Sequence, residues 1–545
     1  MSWDRPPAES AGAESESDAD RTPVVDAEVC VIGAGPAGGI VADRLAEAGR
    51  AVVVLEAGPR FDPADRLARQ ERAIRPAYDR PAVWDGDPER DAHAASGDWF
   101  YPLNHARVKG VGGSTLHWQG MVMRLHEDDF ASESVRGVGT DWPIDYADLQ
   151  PYYAAAEREL GVAGDDDNPF APPREEPHPM PAFRPSYSDG LFAEACDELE
   201  IAMHSVPNAR NSEAYDDRSA CVGYGTCQPV CPSGAKYDAT VHIERAERHG
   251  ATVIDRAPVQ RLEHDADSIE AAVYATPDGE EHRQEADAFV IACGGVETPR
   301  LLLLSESDQY PDGLANSSGL VGKFFMDHLF AGTGGVLDEP TRQNHVGFLT
   351  SESHQFYDDA DEEYAPFKLE FFNYDGPSPV ELALTGDDWG DELLERLRSE
   401  YGTHIGMGGL VEQLPQEDSY VGLNFDTTDD RGNPVPDVHW TVDDRALRTI
   451  ERVNEIQERV LEELGADLTW QVGPDETGPA YHHMGTTRMG DDPAESVVGP
   501  NLRTHDIENC WIASSSVFPT GGAMNPTLTI AALALKTAEH VHETL

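Results

Sequence analysis

The sequence predicts an α/β protein with a parallel sheet near its N-terminus and a second domain that carries its own sheet. Two short apolar runs, residues 27–35 and 51–58, flank a segment with helical spacing, residues 36–49. Buried parallel strands are continuous apolar runs, and a strand–helix–strand unit makes its two strands parallel. Residues 331–480 instead show alternating, strand-like stretches and one long amphipathic helix.

The other elements follow from local patterns. Residues 142–162 predict a helix capped near Asp145, and the Pro-rich, acidic residues 164–185 predict a loop. Two strands with a turn are expected at 251–265 and 269–279, followed by a buried strand at 286–295. The long amphipathic helix covers residues 443–465.

The composition is strongly acidic. Among 545 residues, 101 acidic against 40 basic side chains give a net charge of −61. The Debye length falls from roughly 30 Å at 0.01 M salt to about 3 Å at 1 M, so concentrated salt screens this self-repulsion. We therefore predict a protein adapted to high salt. No basic patch is visible, which argues against nucleic acid and anionic membrane surfaces as partners.

No segment reaches the ~18 consecutive apolar residues of a membrane-spanning helix. Residues 1–23 are acidic and rich in Ala, Ser and Pro, which predicts a disordered tail. They lack the features of an export signal, so we expect a cytoplasmic protein unless a partner carries it out. Seven cysteines, an odd number, do not indicate a disulfide scaffold.

A glycine-rich turn joins the first strand to the first helix. Gly33, Gly35 and Gly38 form the pattern G-x-G-x-x-G. The first glycine allows the tight turn, the second lets backbone approach a pyrophosphate, and the third lets the helix pack on the strand. Glu56 ends the second strand, roughly 20 residues further on, where an acid accepts hydrogen bonds from a ribose. These features predict a bound dinucleotide and do not separate FAD from NAD.

A second glycine-rich loop, GVGGSTLHWQG, occupies residues 110–120. Its glycines suit backbone that must touch a flat ligand; the alternative is a glycine-rich loop without a ligand. The predicted cofactor-binding residues here are Gly112, Gly113, Ser114 and His117.

The C-terminal region combines YHHMGTTRMG, residues 481–490, with a helix that we expect to begin at Asn525-Pro526. Asn is a preferred cap, and Pro is favoured at the first helical position. The positive end of this helix, at Pro526 and Thr527, could hold the negative charge of a reduced flavin. The candidates for alcohol chemistry are His482, His483 and Asn525.

Three cysteines, Cys221, Cys227 and Cys231, lie within eleven residues with the spacing C-x5-C-x3-C. Thiolates are soft ligands for iron–sulfur clusters or zinc. A structural zinc site needs four ligands and usually two short C-x2–4-C arms, and only one short arm is present. Three thiolates match a three-iron cluster better, and free thiols or a local disulfide are the remaining alternatives.

Taken together, these motifs resemble the glucose–methanol–choline (GMC) oxidoreductases. The resemblance extends over nearly all of the chain from Val24 and is strongest with the branch of pyranose 2-oxidase and the flavoprotein subunits of gluconate, fructose and bacterial glucose dehydrogenases. The segments that carry it are residues 33–38, 110–118, 292–305, 319–328 and the C-terminal region from HHMGTTRMG through SSSVFPT to NPTLTIAALAL.

The resemblance implies FAD and a Rossmann-like FAD-binding domain built from separated segments, with an inserted α+β substrate-binding domain. We expect the FAD-binding domain to comprise residues 24–140, 216–330 and 481–545, and the substrate-binding domain residues 141–215 and 331–480. His117 aligns with the residue that links FAD covalently in pyranose 2-oxidase, and non-covalent relatives carry similar loops.

The resemblance also implies oxidation of a sugar, polyol or other alcohol. On the matching positions, His483 is the base that takes the hydroxyl proton, Asn525 and His482 hold the substrate oxygen, and hydride leaves for flavin N5. An imidazole suits this task because its pKa lies near 6.5 when unperturbed.

The cysteine spacing is similar to that of dehydrogenase subunits in which a 3Fe–4S cluster takes electrons from the flavin. Such a cluster implies an electron-acceptor protein or a quinone, and a small companion subunit. The rival hypotheses are an oxygen-using oxidase and a non-catalytic electron-transfer subunit.

If acidic self-repulsion limits stability, the thermal unfolding midpoint should rise as KCl increases from ~0.1 M to ~2 M, because the Debye length shortens. Differential scanning fluorimetry would measure it, with sucrose of equal osmolality as the control. A midpoint that is unchanged by KCl, or that rises equally in sucrose, would contradict the adaptation to salt.

Overall fold

The computed structural model of the protein describes residues 24–75, 83–84, 86–341, 347–373 and 376–545; the predicted tail, residues 1–23, lies outside these ranges. The α-helices in the described ranges are α1 (Pro36–Glu47), α2 (Arg66–Ala73), α3 (Leu103–Ala106), α4 (Ser132–Arg136), α5 (Tyr146–Leu160), α6 (Tyr187–Glu198), α7 (Thr240–Arg248), α8 (Gly294–Leu304), α9 (Pro379–Thr385), α10 (Asp391–Glu400), α11 (Asp444–Glu463) and α12 (Thr527–Thr544).

The β-strands in the same ranges are β1 (Val29–Ile32), β2 (Val52–Leu55), β3 (Ala163–Gly164), β4 (Met180–Pro181), β5 (His204–Ser205), β6 (Thr252–Ile254), β7 (Val259–His264), β8 (Ile269–Ala275), β9 (Glu281–Glu285), β10 (Ala288–Ile291), β11 (Leu329–Val336), β12 (Leu349–Ser353), β13 (Phe367–Phe372), β14 (His404–Val411), β15 (Tyr420–Thr428), β16 (Pro434–His439), β17 (Asp467–Val472), β18 (Gly478–Pro479) and β19 (Cys510–Ile512).

A five-stranded parallel sheet has the order β19-β10-β1-β2-β6. Its inner strands are buried along their whole length, as expected for apolar strands covered on both faces. Helix α1 packs between α7 and α12, and α5 packs on α12. This sheet draws its strands from the start, the middle and the end of the chain.

A larger antiparallel sheet has the order β17-β11-β14-β13-β12-β5, and β18 adds to β11. Helix α11 packs on β11 and β14, and its apolar residues share a second hydrophobic core with α6 and β13. Smaller sheets pair β7 with β8 and β9, β15 with β16, and β3 with β4. The α/β class with two main sheets is as predicted.

Most predicted elements occur where the patterns placed them. The Asp145 carboxylate caps α5 by accepting a hydrogen bond from the Asp148 backbone N–H. The C-terminal helix differs: α12 begins at Thr527, with Pro526 in the cap position and no side-chain cap. The prediction that Asn525 caps this helix was wrong, because its side chain bonds to other side chains instead.

Across the described ranges, no helix is both long enough and apolar enough to cross a membrane.

Gly38 provides a test of the turn between β1 and α1. A Cβ atom at this position would lie 1.9 Å from the Gly33 carbonyl oxygen. We expect Gly38→Ala to lower the free energy of unfolding by about 1–3 kcal/mol through overpacking, although alanine is otherwise the better helix former. Chemical denaturation of both proteins in high salt measures this difference in the free energy of unfolding.

The matched control is Gly35→Ser, because a Cβ at Gly35 meets no atom within 4 Å and serine is a good N-cap residue. We expect this variant to keep the parent stability in the absence of FAD. Equal stability of the Gly38→Ala variant and the parent would contradict the close approach of helix and strand.

Candidate active site

A cavity of about 1170 Å³ lies along the carboxyl ends of the parallel strands. Gly33 follows β1, Glu56 follows β2, Ala292 follows β10 and Ala513 follows β19, and all four line the cavity. Ligands of open α/β sheets bind at this edge. Drug-sized ligands occupy pockets of roughly 300–1,000 Å³, so this cavity has room for a larger ligand.

The turn between β1 and α1 forms one wall of the cavity. Gly33 adopts a φ of 104°, a left-handed conformation that side chains rarely allow. Gly35 lines the cavity with open space where a Cβ would stand, at the positive N-terminal end of α1. This wall could therefore bring backbone N–H groups close to phosphate.

Glu56 stands beside this turn and is buried. Its Oε2 accepts from the Ala34 N–H at 2.8 Å and its Oε1 from the Gly58 N–H at 2.9 Å. Burial raises the pKa of this carboxyl, against these hydrogen bonds. A carboxylate has about four acceptor sites, so Glu56 keeps accepting capacity for the predicted contact with a ribose.

The second glycine-rich loop closes on the first. The Gly112 N–H donates to the Ala34 carbonyl at 2.9 Å, and a Cβ at Gly113 would lie 2.9 Å from the Gly35 Cα. Gly113, Ser114 and His117 line the cavity, whereas Gly112 and Gly38 support the two turns from behind. Burial lowers the pKa of His117 to about 4, so this imidazole is neutral at pH 7.

The size of the cavity, the open space at Gly35, the helix start and the buried Glu56 fit FAD. Pro526 and Thr527, at the start of α12, line the same cavity as the two glycine-rich turns.

His482 and Asn525 meet at this cavity. The Nδ2 atom of Asn525 lies 3.3 Å from Nε2 of His482, and the Oδ1 atom of Asn525 accepts from Nζ of Lys368 at 3.0 Å. On the other side of the ring, Nδ1 of His482 lies 2.8 Å from Nδ1 of His328. The structure thus pairs Asn525 with His482 rather than with His483.

Hydrogen-bond chemistry assigns the proton positions along this chain. Lysine only donates, so the Asn525 oxygen faces Lys368 and its NH2 group faces His482. Nε2 of His482 must then accept, and its Nδ1 carries the proton. His328 agrees with this assignment, since its Nε2 faces the carbonyl oxygen of Gly521 at 3.4 Å and leaves its Nδ1 to accept.

The environment also keeps His482 neutral. Its pKa lies well below the usual value because the ring is buried and because His328 and Lys368 lie nearby. Its backbone N–H donates to Oδ1 of Asp327 at 2.7 Å, and the hydroxyl of Tyr101 donates to the other Asp327 oxygen. Burial raises the pKa of Asp327 to about 7.

His483 also lines the cavity, but in a different setting. Its ring centroid lies 5.5 Å from that of Tyr101 and 6.1 Å from that of Phe325. Burial, and secondarily Arg107, lowers its pKa to about 3. The buried Nε2 atom has no hydrogen-bond partner within the described part of the chain. Such an atom needs a ligand or water to satisfy it.

Sequence reasoning missed the residues that surround the pair formed by His482 and Asn525. These are Lys368, Glu352, Glu370, His328 and Asp327. One signal was available in the segment FKLEFF, residues 367–372, where two charged residues alternate with apolar ones. Alternation with a period of two puts Lys368 and Glu370 on one face of a strand. His328 and Asp327 carry no comparable signal.

The three clustered cysteines are free, as are the other four cysteines of the chain, so a local disulfide is not present. Nη1 of Arg210 lies 3.8 Å from the sulfur of Cys221 and 3.8 Å from that of Cys227. The backbone N–H of Lys236 donates to the sulfur of Cys231 at 3.4 Å. One guanidinium and one backbone N–H therefore contact the three thiols.

Lys236 joins the cysteine loop to the cavity wall. Its buried Nζ donates to the carbonyl oxygens of Cys227, at 2.9 Å, and of Trp118. Trp118 and Gln228, the residue after Cys227, both line the cavity. Burial lowers the pKa of Lys236 to about 8.

In the described ranges, one group of three metal-ligating atoms lies within 4.8 Å of one another, formed by Asp43, Glu159 and His242. The three cysteine sulfurs are not so close. Tetrahedral zinc with Zn–S bonds of about 2.3 Å places its sulfurs roughly 3.8 Å apart. The three thiols as they stand are therefore spaced more widely than the ligands of a formed zinc site.

Family models match most of the folded chain. GMC oxidoreductase models match residues 103–330 and residues 415–534. The fructose dehydrogenase large subunit of Gluconobacter japonicus is 34% identical over 95% of this chain and 98% of the relative. The 2-methyl-1,2-propanediol dehydrogenase of Mycolicibacterium austroafricanum is 31% identical over 94% of this chain and 95% of the relative.

Solved structures show the same fold. A variant of formate oxidase from Aspergillus oryzae RIB40, from work on FAD modification, aligns with a TM-score of 0.68 over 96% of this chain and 99% of that chain, at 16% identity. A pyridoxine 4-oxidase aligns with a TM-score of 0.64 over 95% of this chain and 99% of that chain, at 17% identity. These matches confirm the predicted fold class and the resemblance: the chain belongs to the GMC oxidoreductase family.

Proposed function

We propose that this protein is an FAD-dependent dehydrogenase that oxidises the CH–OH group of a small sugar, polyol or other alcohol. The observation that carries the proposal is the His482–Asn525 pair at the cavity, with an acceptor nitrogen beside a donor amide. A hydroxyl needs this combination. A bound hydroxyl would take the place of the direct contact between Asn525 and His482, so that its oxygen accepts from the amide while its proton goes to the imidazole.

In this proposal, each residue at the cavity has a separate role. Nε2 of His482 takes the hydroxyl proton, and the N–H of Asn525 holds the oxygen as negative charge develops on it. Residues of the two glycine-rich turns, Glu56 and the start of α12 hold the cofactor. Bound FAD supplies the acceptor for the hydride that leaves the carbon.

This assignment exchanges the two histidines relative to the sequence-based one, in which His483 is the base. The reason is geometric: Asn525 lies beside His482, and a hydrogen-bonded partner fixes each nitrogen of that ring. His483 instead presents an unpartnered buried Nε2 and is proposed to contact the ligand.

The cavity lining supports a hydroxyl-bearing substrate. Aromatic side chains at Phe348, Phe372 and Trp470 offer faces on which a sugar ring or an apolar alcohol can pack, and the carboxylates of Glu370 and Glu476 can accept from hydroxyls. Relatives named for fructose, a diol and paromamine agree with a polyol substrate, and a more distant relative, at 25% identity, is named for gluconate.

We further propose that Cys221, Cys227 and Cys231 hold a 3Fe–4S cluster. Thiolates must lose their protons to ligate iron, and Arg210 and Lys236 lie where they favour the charged form. Burial opposes the loss of these protons and raises the pKa of Cys227, whereas hydrogen bonds from the Lys236 backbone N–H and from Ser233 leave the pKa of Cys231 lowered. The link through Lys236 and Gln228 to the cavity wall supports electron transfer from the flavin.

A cluster directs electrons to an acceptor protein or quinone and favours a small companion subunit; the relative from Gluconobacter japonicus is itself named a large subunit. An oxygen-using oxidase is the second candidate, favoured by the relative named paromamine 6'-oxidase at 31% identity. Production of hydrogen peroxide on addition of substrate would distinguish the oxidase from the dehydrogenase.

The histidine assignment predicts unequal losses on substitution. We expect His482→Ala to lower kcat by roughly 10²–10⁴, the usual contribution of a general base, and His483→Ala to lower it much less. Dye reduction with a panel of polyols and aldoses in high salt measures both, with His264→Ala on the surface as control. A larger loss from His483→Ala would restore the sequence-based assignment.

The cluster proposal predicts the spectra of protein purified anaerobically in high salt. We expect flavin absorption together with an iron–sulfur EPR signal, and Cys231→Ser should lose the signal while it keeps the flavin. Cys196→Ser, which changes a buried thiol in α6, is the control and should keep both. Parent protein that contains flavin but no iron would overturn the cluster.

A further inference from the structure

One of the five lysines of the chain is completely buried behind the catalytic pair. Lys368 lies on β13 with no exposed surface. Its ammonium group has three close partners: Oε2 of Glu352 at 3.0 Å, Oε1 of Glu370 at 2.9 Å and Oδ1 of Asn525 at 3.0 Å. Three partners match the three donors of an ammonium group.

The two glutamates alone do not explain this lysine. Glu352 on β12 and Glu370 on β13 are directly opposite each other across the strand pair, so a cation between them relieves like-charge repulsion. That task uses two donors. The third N–H of the ammonium group is directed at the oxygen of the Asn525 amide. The orientation of that amide decides whether Nε2 of His482 accepts or donates a hydrogen bond.

We propose that Lys368 is a positioning residue, which holds the Asn525 oxygen and so turns the NH2 group of the amide toward His482 and the substrate oxygen, leaving Nε2 of His482 unprotonated. This inference rests on the function proposed above. Lys368 touches neither substrate nor cofactor in this role. It acts through Asn525, and a chain of hydrogen bonds continues its effect through His482 and His328 to the Gly521 carbonyl.

The alternative orientation shows what Lys368 prevents. If the Asn525 amide were rotated by half a turn, its oxygen would face His482 and would favour a proton on Nε2. His482 could not then accept the hydroxyl proton, and the substrate oxygen would lose its donor. Such a rotation would place the amide NH2 group against the Lys368 ammonium, donor against donor.

Histidine tautomers can be measured directly in the parent holoenzyme. Two-bond 1H–15N correlation spectra of protein labelled with 15N-histidine distinguish a protonated from an unprotonated ring nitrogen, and His482→Gln identifies the His482 signal by its loss. We expect neutral His482 with the proton on Nδ1. A proton on Nε2 would overturn the proposal, whether or not any alcohol has been found to be oxidised.

Substitution of Lys368 distinguishes a role in positioning Asn525 from a purely structural role. We expect Lys368→Met to keep flavin, to lower kcat by about 10- to 100-fold with a smaller change in KM, and to give His482 a mixture of tautomers. Arg124→Met is the matched control, because it removes a buried cation paired with Glu157 away from the cavity and should keep kcat and tautomer.

If Lys368→Met does not fold, the double variant Lys368→Met with Glu352→Gln removes one of the two charges left behind. In either variant, a kcat within twofold of the parent, or an unchanged His482 tautomer, overturns the proposal. If the parent oxidises no alcohol but shows the Nδ1 tautomer, the proposed function fails while the hydrogen-bond assignment stands.

Discussion

The in-register pairing of parallel strands is the constraint on which the site depends. Residues 29–32 pair with 288–291 on one side and with 52–55 on the other, and residues 289–291 pair with 510–512. Parallel strands end at the same edge, so segments from the start, the middle and the end of the chain meet there. The cavity, the two glycine-rich turns and the C-terminal residues gather at this edge for that reason.

The chain as a whole is strongly negative, but two of its few lysines are buried near the proposed functional residues. The net charge is −61, and the chain has only five lysines, none of them fully exposed. Lys236 and Lys368 are essentially completely buried, one beside the cysteines and the other behind the pair formed by His482 and Asn525. Both buried lysines have specific partners: two carboxylates and an amide for Lys368, and backbone carbonyls for Lys236.

Local patterns were sufficient for most elements and for placing the two glycine-rich turns at one cavity. The turn at Gly33, the cap at Asp145 and the alternation in the second sheet each depend on nearest neighbours, which a sequence displays. The roles of His482 and His483 could not be separated in this way, since adjacent residues of an extended segment point in different directions. Asn525 was misplaced as a helix cap for the same reason: its partners, Lys368 and His482, are distant in sequence.

Energetics indicate why a buried lysine would be kept at this position. A buried ion pair is often no more stabilising than well-packed apolar residues of the same volume, because the loss of hydration offsets the attraction. Glu352, Lys368 and Glu370 together place two negative charges against one positive charge inside the second sheet. An apolar trio would fill the same space without that cost. It could not hold the Asn525 oxygen and so fix the orientation of the amide, on which the proposed alcohol chemistry depends.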